Sequence, residues 1–302
     1  MYAFASLMAG FFSLVIFSSF NDTDISQNLP VDQDSSGISQ HITAFDLNST
    51  FMFADEPIPA DNFDAIERLD RELLINSYLH ATTLLNIKIA NRYFPVIEPI
   101  LKKYNIPEDF KYLSVAESNL RMATSSAGAK GFWQFIESSG TAYGLEITSE
   151  VDERFDVEKS TEAACKFILY LKNRFGNWTL AAAAYNMGET AIARRLETQK
   201  AGNYYDLNLN EETSRYIFRI IAIKEIMQHP RKYGFYVDAE QLYLPFQKYS
   251  TIIVTEPVDD LATLAQQYGT SYRMLKVFNP WLIGSSLSNK HGKKYEIRIP
   301  NK

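Results

Sequence analysis

Apolar residues recur at intervals of three and four from about Ile66 to Gln228, which is the spacing of one face of an α-helix. The pattern predicts helices at residues 64–80, 81–92, 93–104, 107–118, 160–175, 178–187, 189–197 and 213–228. Start and stop signals agree, since two acidic residues follow Pro107 and Gly188 ends another apolar run. No alternating pattern of comparable strength interrupts the region. We therefore predict a mainly α fold.

The pattern changes after His229-Pro230, where short alternating runs replace the helical spacing. The predicted order is strand, helix, helix, strand, at residues 249–255, 258–268, 271–278 and 295–299. This order predicts a small β-α-α-β unit over residues 249–302, and the chain contains no second copy of it.

The beginning of the chain differs from both regions. Residues 4–20 form an apolar run of signal-peptide or short-anchor length, although Met1-Tyr2-Ala3 carries no positive charge. We expect residues 1–20 to be a signal peptide or an N-terminal membrane anchor, with the protein in the cell envelope, periplasmic or attached to a membrane on its periplasmic side. A buried helix fits less well, because the next residues are too polar to cover it. Residues 21–62 are predicted to be a polar linker or arm.

Composition narrows the range of partners. The net charge is −6 and no Lys/Arg run stands out, so we expect no nucleic-acid partner. The single cysteine, Cys165, excludes an intrachain disulfide and is expected to be a core residue. The four His are scattered, and we expect neither a metal site nor a cofactor. The sequence leaves the oligomeric state undetermined.

One acidic residue falls in an apolar stripe. Ile106, Phe110, Leu113 and Leu120 share a helical face with Glu117. A carboxyl group partly removed from water has a raised pKa, which suits a general acid near neutral pH. From the stripe alone, a boundary Glu that bends into solvent is the better interpretation.

Three further segments change that balance. Residues 125–135 place glycines beside Trp133 and Gln134, and residues 178–188 place four alanines before Tyr185 and Asn186. Residues 212–216 begin another helix and contain Tyr216. Each segment taken alone indicates only a tight turn, close helix packing or a capped helix start.

In this order and spacing, the segments resemble the soluble-lytic-transglycosylase family, which has a goose-type lysozyme fold. The resemblance runs from about Arg92 to Phe235, includes residues 111–118 and 151–156, and is strongest to the branch of membrane-bound lytic murein transglycosylase D. It implies a lysozyme-like transglycosylase domain at residues 63–240. Met187, where the family usually has Ala, and the pair Phe132-Trp133 depart from the general pattern without touching a proposed catalytic atom.

The resemblance also implies residue roles. Glu117 would be the catalytic residue. The cleft would be lined by side chains that hold the sugar or the catalytic carboxyl: Ser118, Gln134, Tyr185, Asn186 and Tyr216. Tyr143 and the acidic residues of 152–156 would stabilise the fold through salt bridges and helix capping.

The implied reaction cleaves peptidoglycan glycan strands between N-acetylmuramic acid and N-acetylglucosamine without water, leaving a 1,6-anhydro end. Ordinary glycosidases use two carboxylates, whereas here a single Glu would act as acid and then as base. Two alternatives remain open: a goose-type lysozyme-like hydrolase, and a catalytically inactive peptidoglycan-binding scaffold.

The C-terminal unit resembles a divergent LysM module, a small glycan-binding fold. Matching residues include Tyr268-Gly269, Asn279-Pro280 and 297–300, whereas residues 256–261 replace the usual Gly-Asp-Thr-Leu start. The unit is expected either to bind glycan or to act as a structural cap on the catalytic domain.

Overall fold

The structure is a computed structural model that describes residues 43–290 and 292–301. The predictions for residues 1–20, and for the part of the linker before residue 43, lie outside this range. Across the two described ranges, no helix has both the length and the apolar character needed to cross a bilayer.

The described chain is mainly helical, as the spacing of apolar residues predicts. Its helices are α1 Phe63–Tyr78, α2 His80–Lys103, α3 Phe110–Ser118, α4 Glu137–Ala142, α5 Val157–Phe175, α6 Trp178–Met187, α7 Glu189–Gln199, α8 Glu211–Gln228, α9 Leu261–Gln267 and α10 Tyr272–Phe278. Asparagine side chains cap three of them: Asn62, Asn177 and Asn210 accept hydrogen bonds from backbone N–H groups in the first turn of α1, α6 and α8.

Helix α2 differs from the prediction. Residues 81–92 and 93–104 were predicted as two helices, but they form one helix that contains Pro95 and Pro99. A proline inside a helix removes a backbone hydrogen bond and costs about 3 kcal/mol. Burial of Ile97 and Leu101 in the main core stabilises the helix against this cost.

A short antiparallel pair, β1 Met52–Phe53 and β2 Glu56–Pro57, lies before α1. The prediction of a polar arm over residues 21–62 is wrong for this part, because Phe51, Phe53 and Ile58 are buried in the main core. The apolar run at residues 51–54 is too short to carry a periodic signal, so the polar composition around it concealed it.

Glu56 ties this hairpin to α6. Its carboxylate accepts hydrogen bonds from the backbone N–H groups of Trp178 and Thr179 at 2.6 and 2.8 Å, and from the Thr179 hydroxyl at 2.6 Å. A carboxylate at a helix N-terminus is also favoured by the helix dipole.

We expect Glu56→Ala to lower the free energy of unfolding by about 1–2 kcal/mol, as loss of a helix cap does. Urea denaturation measures this, with Glu67→Ala on an exposed face of α1 as the matched control; equal effects would exclude a capping role.

The C-terminal residues form the predicted β-α-α-β unit. Strands β3 Tyr249–Val254 and β4 Tyr295–Pro300 are antiparallel, with Tyr249 opposite Pro300 and Val254 opposite Tyr295. Helices α9 and α10 cover the sheet and build a second apolar cluster around Leu261, Leu275 and Ile297. Residues 44–302 nevertheless pack as one compact unit, and the division into domains at 63–240 and 249–302 stays a prediction.

Candidate active site

Glu117 lies in the last turn of α3, on the predicted stripe. Phe110, Leu113 and Leu120 of that stripe are fully buried, whereas Glu117 is half-buried. At the start of α3, Asp109 accepts hydrogen bonds from Lys224 Nζ of α8 at 2.7 Å and from the Ala54 backbone N–H at 2.8 Å. The helix is therefore fixed against α8 and the N-terminal hairpin, and so is the carboxyl group that it carries.

The backbone turns sharply just after Glu117. Asn119 and Leu120 both have positive φ, 53° and 52°, a left-handed conformation that is uncommon for residues other than glycine. The Asn119 side chain accepts a hydrogen bond from Asn86 Nδ2 of α2 at 2.9 Å. This contact holds the turn at the end of α3, because a strained turn persists only where its surroundings support it.

The surroundings of Glu117 favour its protonated form. Burial raises the pKa of its carboxyl group from 4.5 to about 7. The hydrogen bond from Tyr216 opposes this rise in pKa, the negative charge of Glu212 adds to it, and the positive charge of Arg219 opposes it. Near neutral pH the side chain can therefore release a proton and take one back.

Two tyrosines accompany this carboxyl group. Tyr216 of α8 is buried, and its hydroxyl donates a hydrogen bond to Glu117 Oε1. The Tyr185 hydroxyl, at the end of α6, donates to the Trp133 carbonyl oxygen at 2.6 Å. Burial and the charge of Glu117 raise the pKa of both phenols well above the ordinary value. Both hydroxyls consequently keep their protons and remain donors.

Gln134 belongs to a tightly folded loop between α3 and α4. It has φ 49°, and its Nε2 donates to the Gly131 carbonyl at 2.8 Å. Gly131 itself has φ 76°, and a Cβ there would overlap the Arg154 carbonyl oxygen, so only glycine fits. The loop thus places Gln134 next to Trp133, whose carbonyl oxygen holds Tyr185.

Asn186 connects the end of α6 to the start of α8. Its Oδ1 accepts a hydrogen bond from the Thr213 hydroxyl at 2.9 Å, and its Nδ2 donates to Glu212 at 3.4 Å. Glu212 is also the residue whose charge raises the pKa of Glu117. Asn186 therefore lies close to the residues that set the charge around the carboxyl group.

Ser118 has different contacts from the other predicted cleft residues. Its side chain is 6% exposed, and its hydroxyl donates to the Ser114 carbonyl oxygen at 3.0 Å, within its own helix. A role for Ser118 in lining the cleft stays a prediction.

Sequence reasoning missed several residues that position the site. Asn86, Asn119 and Lys224 lie outside every motif, and Asp109 was interpreted only as part of a helix start. Asn86 and Asn119 hold the end of α3, and Asp109 and Lys224 hold its beginning. Asn119 offered one usable signal, because Asn is the residue other than glycine most often found in the left-handed conformation after a helix.

Comparison with protein families agrees with this architecture. Residues 95–208 match the transglycosylase SLT domain family, and residues 250–302 match the soluble lytic transglycosylase C-terminal LysM-like domain. The chain therefore contains an SLT transglycosylase domain followed by a LysM-like C-terminal domain. This confirms the mainly α fold with a small βααβ unit.

Two curated relatives are similar to this chain. The chain is 34% identical over 242 residues to membrane-bound lytic murein transglycosylase D of Escherichia coli strain K12. The aligned region covers 78% of this chain and 51% of the relative. A putative tributyltin chloride resistance protein of Alteromonas sp. strain M-1 is 33% identical over 125 residues, covering 41% of this chain and 60% of that protein. The chain spans about half the length of the lytic murein transglycosylase that it matches.

Proposed function

We propose that this protein is a peptidoglycan lytic transglycosylase in which Glu117 is the only acid/base. The observation that carries the proposal is a carboxyl group with a pKa of about 7, placed at the end of an apolar helix and held by Tyr216. The SLT domain match and the name of the E. coli relative support this reaction class.

The chemistry follows from a group that can give up a proton and take one back. Protonated Glu117 donates its proton to the oxygen that leaves C1 of N-acetylmuramic acid. The substrate's acetamido group stabilises the positive charge at C1. The resulting carboxylate then removes the proton of the C6 hydroxyl, whose oxygen bonds to C1 and closes the 1,6-anhydro ring. Glu117 ends the cycle protonated, and no water is consumed.

The neighbouring side chains receive roles that match their positions. We assign Tyr216 to orienting the Glu117 carboxyl group, and Gln134, Tyr185 and Asn186 to lining the cleft and holding the sugar. Peptidoglycan glycan strands would be the substrate and the cell envelope the location, in keeping with the name of the relative, a membrane-bound murein transglycosylase.

The masses of the released products test the reaction. Purified sacculi are digested with the protein, and the soluble muropeptides are analysed by mass spectrometry. A lytic transglycosylase leaves 1,6-anhydro ends, whereas a lysozyme-like hydrolase leaves reducing ends that are one water heavier. Products with reducing ends would identify the hydrolase, and the absence of soluble products would identify the inactive scaffold.

The pH dependence gives a second test. Catalysis begins with protonated Glu117, so we expect kcat/KM on a soluble glycan to fall as the pH rises through about 7. Tyr216 donates to the ionised carboxylate and so lowers the pKa of Glu117. Tyr216→Phe should therefore move this fall in activity to higher pH, while also reducing the maximal rate. A fall at unchanged pH would show that the hydrogen bond does not tune Glu117; exposed Tyr236→Phe is the control.

A further inference from the structure

The C-terminal unit holds one segment of the catalytic domain at several points. The Glu150 carboxylate accepts hydrogen bonds from the Ser286 hydroxyl at 2.7 Å and from the Ser288 backbone N–H and hydroxyl at 2.7 and 2.9 Å. The Glu150 carbonyl oxygen accepts from the backbone N–H groups of Ile283 and Gly284 at 2.9 and 3.0 Å. A single residue therefore receives five hydrogen bonds from the loop between α10 and β4.

The next two residues extend this contact. Val151 pairs with Leu282 in a β-bridge and is buried in the apolar cluster of the C-terminal unit, not in the main core. The Asp152 backbone N–H donates to the Trp281 carbonyl oxygen at 2.8 Å. Lys276, desolvated so that its pKa is lowered, donates from Nζ to the carbonyl oxygens of Leu282 and Gly284. Lys276 of α10 thereby fixes the loop whose Leu282 pairs with Val151.

Asp152 connects these contacts with the C-terminal unit to the loop at residues 128–135, which contains Gln134. Its carboxylate forms a two-point ion pair with Arg154 at 2.8 and 2.7 Å, and both side chains are at most 3% exposed. Arg154 Nη1 donates to the carbonyl oxygens of Gly128 and Phe135 at 3.2 and 3.3 Å. These two carbonyls lie on either side of Gln134 in the loop. A charged donor bonded to two carbonyls fixes the loop geometry more firmly than neutral contacts do.

Side chains of the C-terminal unit reach the same segment from its other end. The Tyr295 hydroxyl donates to Glu146 at 2.8 Å, and Lys293 forms ion pairs with Glu146 and with buried Glu153, the latter at 3.5 Å. Residues 146–154 are thus bracketed by β4 and by the loop that precedes it.

We infer that the C-terminal unit is a positioning element of the active site, acting through Glu150, Val151 and Asp152 on Arg154, and through Arg154 on the loop that carries Gln134 and the Trp133 carbonyl. That carbonyl holds Tyr185 near Glu117, so the unit sets the geometry around the acid/base. This role goes beyond that of a cap that only adds stability, and beyond binding of glycan at a distance. The inference rests on the proposed transglycosylase function.

The test loosens the contact without touching the cleft. Glu150→Ala removes the side-chain hydrogen bonds to Ser286 and Ser288. Gly284→Val forces a side chain into a space where an added Cβ would lie 3.0 Å from the Glu150 Cα atom. The matched control is Asp260→Ala, which removes the N-cap of α9 and weakens the C-terminal unit without removing any hydrogen bond to Glu150. All variants are made in the full chain, and a short soluble glycan is the substrate.

We expect kcat to fall by about tenfold in Glu150→Ala and further in Gly284→Val, with little change in KM, because small displacements of catalytic groups slow chemistry strongly. The fall of activity with rising pH should also move to lower pH as water reaches Glu117. Glu150→Gln, which keeps one carbonyl acceptor for the Ser288 N–H, should recover most of kcat. Asp260→Ala should keep kcat within about twofold while lowering the melting temperature.

Two results would overturn the inference. Variants that lose thermal stability as Asp260→Ala does, with kcat and pH profile unchanged, would make the unit a stabilising cap only. A rise in KM confined to whole sacculi would make it a glycan-binding module only. Wild-type release of anhydro muropeptides is measured in the same series, so failure of the proposed function is seen separately.

Discussion

Glu117→Gln is expected to reduce the rate of glycan cleavage by about 10²–10⁴-fold or more, because general acid/base catalysis contributes that much and we assign no second carboxylate to the reaction. Glutamine keeps the size of the side chain and can still accept the hydrogen bond from Tyr216. Zymography and product analysis on sacculi measure the loss. Glu240→Gln, at an exposed position far along the chain, is the matched control. Equal clearing by wild type and Glu117→Gln would remove Glu117 from the mechanism.

The same substitution should stabilise the protein, and only at higher pH. The pKa of Glu117 is about 7 in the folded state, above the ordinary value of 4.5, so the folded state retains a proton that the unfolded state releases. The stability linked to this proton is fully present below pH 4.5 and is lost as the pH rises through 7. This difference in pKa between the folded and unfolded states corresponds to about 3 kcal/mol in the free energy of unfolding.

Glutamine carries no ionisable proton and therefore avoids that loss. Urea unfolding of both proteins at pH 4 and pH 8 measures this effect. The diagnostic quantity is the increase, from pH 4 to pH 8, in the free energy of unfolding of Glu117→Gln relative to wild type. A pH-independent difference between the two proteins would contradict the raised pKa. Loss of activity combined with a gain in stability is the expected signature of a residue kept for its chemistry.

The part of this site that the sequence predicted is the part encoded locally. The stripe that includes Phe110 and Leu113 has the helical period, so the helix and the position of Glu117 on its apolar face followed from spacing, whereas the stripe alone favoured a Glu117 that bends into solvent. The bond from Tyr216 could not follow in this way, since 99 residues separate it from Glu117. Tyr216 was assigned to the site only because its segment resembles a known family.

The contacts that fix the site arise from residues without a periodic signal. Asn86 and Asn119 meet through a single hydrogen bond between two helices, and Glu56 caps α6 across 122 residues of sequence. Each of these polar residues has many possible partners in a sequence, and only the packing of the helices selects one. For the same reason, the C-terminal unit was recognisable as a module, whereas its hydrogen bonds to Glu150 were not predictable.

The acidic segment at residues 152–156 was expected to stabilise the fold, and its contacts support that expectation. Asp156 caps α5 by accepting from the Lys159 N–H at 2.9 Å, and Asp152 pairs with Arg154. A buried ion pair gives little net stability compared with apolar residues of similar size, but removal of one partner leaves an uncompensated buried charge. Replacing one partner of the Asp152–Arg154 pair should therefore lower the free energy of unfolding more than replacing both with apolar residues.

Arg154→Met is accordingly expected to lower the free energy of unfolding by about 3–5 kcal/mol, the cost of breaking a buried pair. Asp152 would keep Lys130, 3.0 Å away, and the backbone N–H of residue 154 at 3.2 Å, and the carbonyls of Gly128 and Phe135 would lose a donor. Urea denaturation measures the effect, and Arg231→Met, at an exposed position, should change stability by less than about 0.5 kcal/mol.

The double variant Asp152→Leu with Arg154→Met separates charge from packing. It removes both charges together, so it should be less destabilised than the sum of the two single variants, with a coupling of about 1–3 kcal/mol. Strict additivity would mean that the pair does not act as a unit. Activity should not recover in parallel, because neither Leu nor Met donates to the carbonyls that shape the loop around Gln134. Partly restored stability with persistently low kcat would thus distinguish the pair's contribution to loop geometry from its contribution to folding.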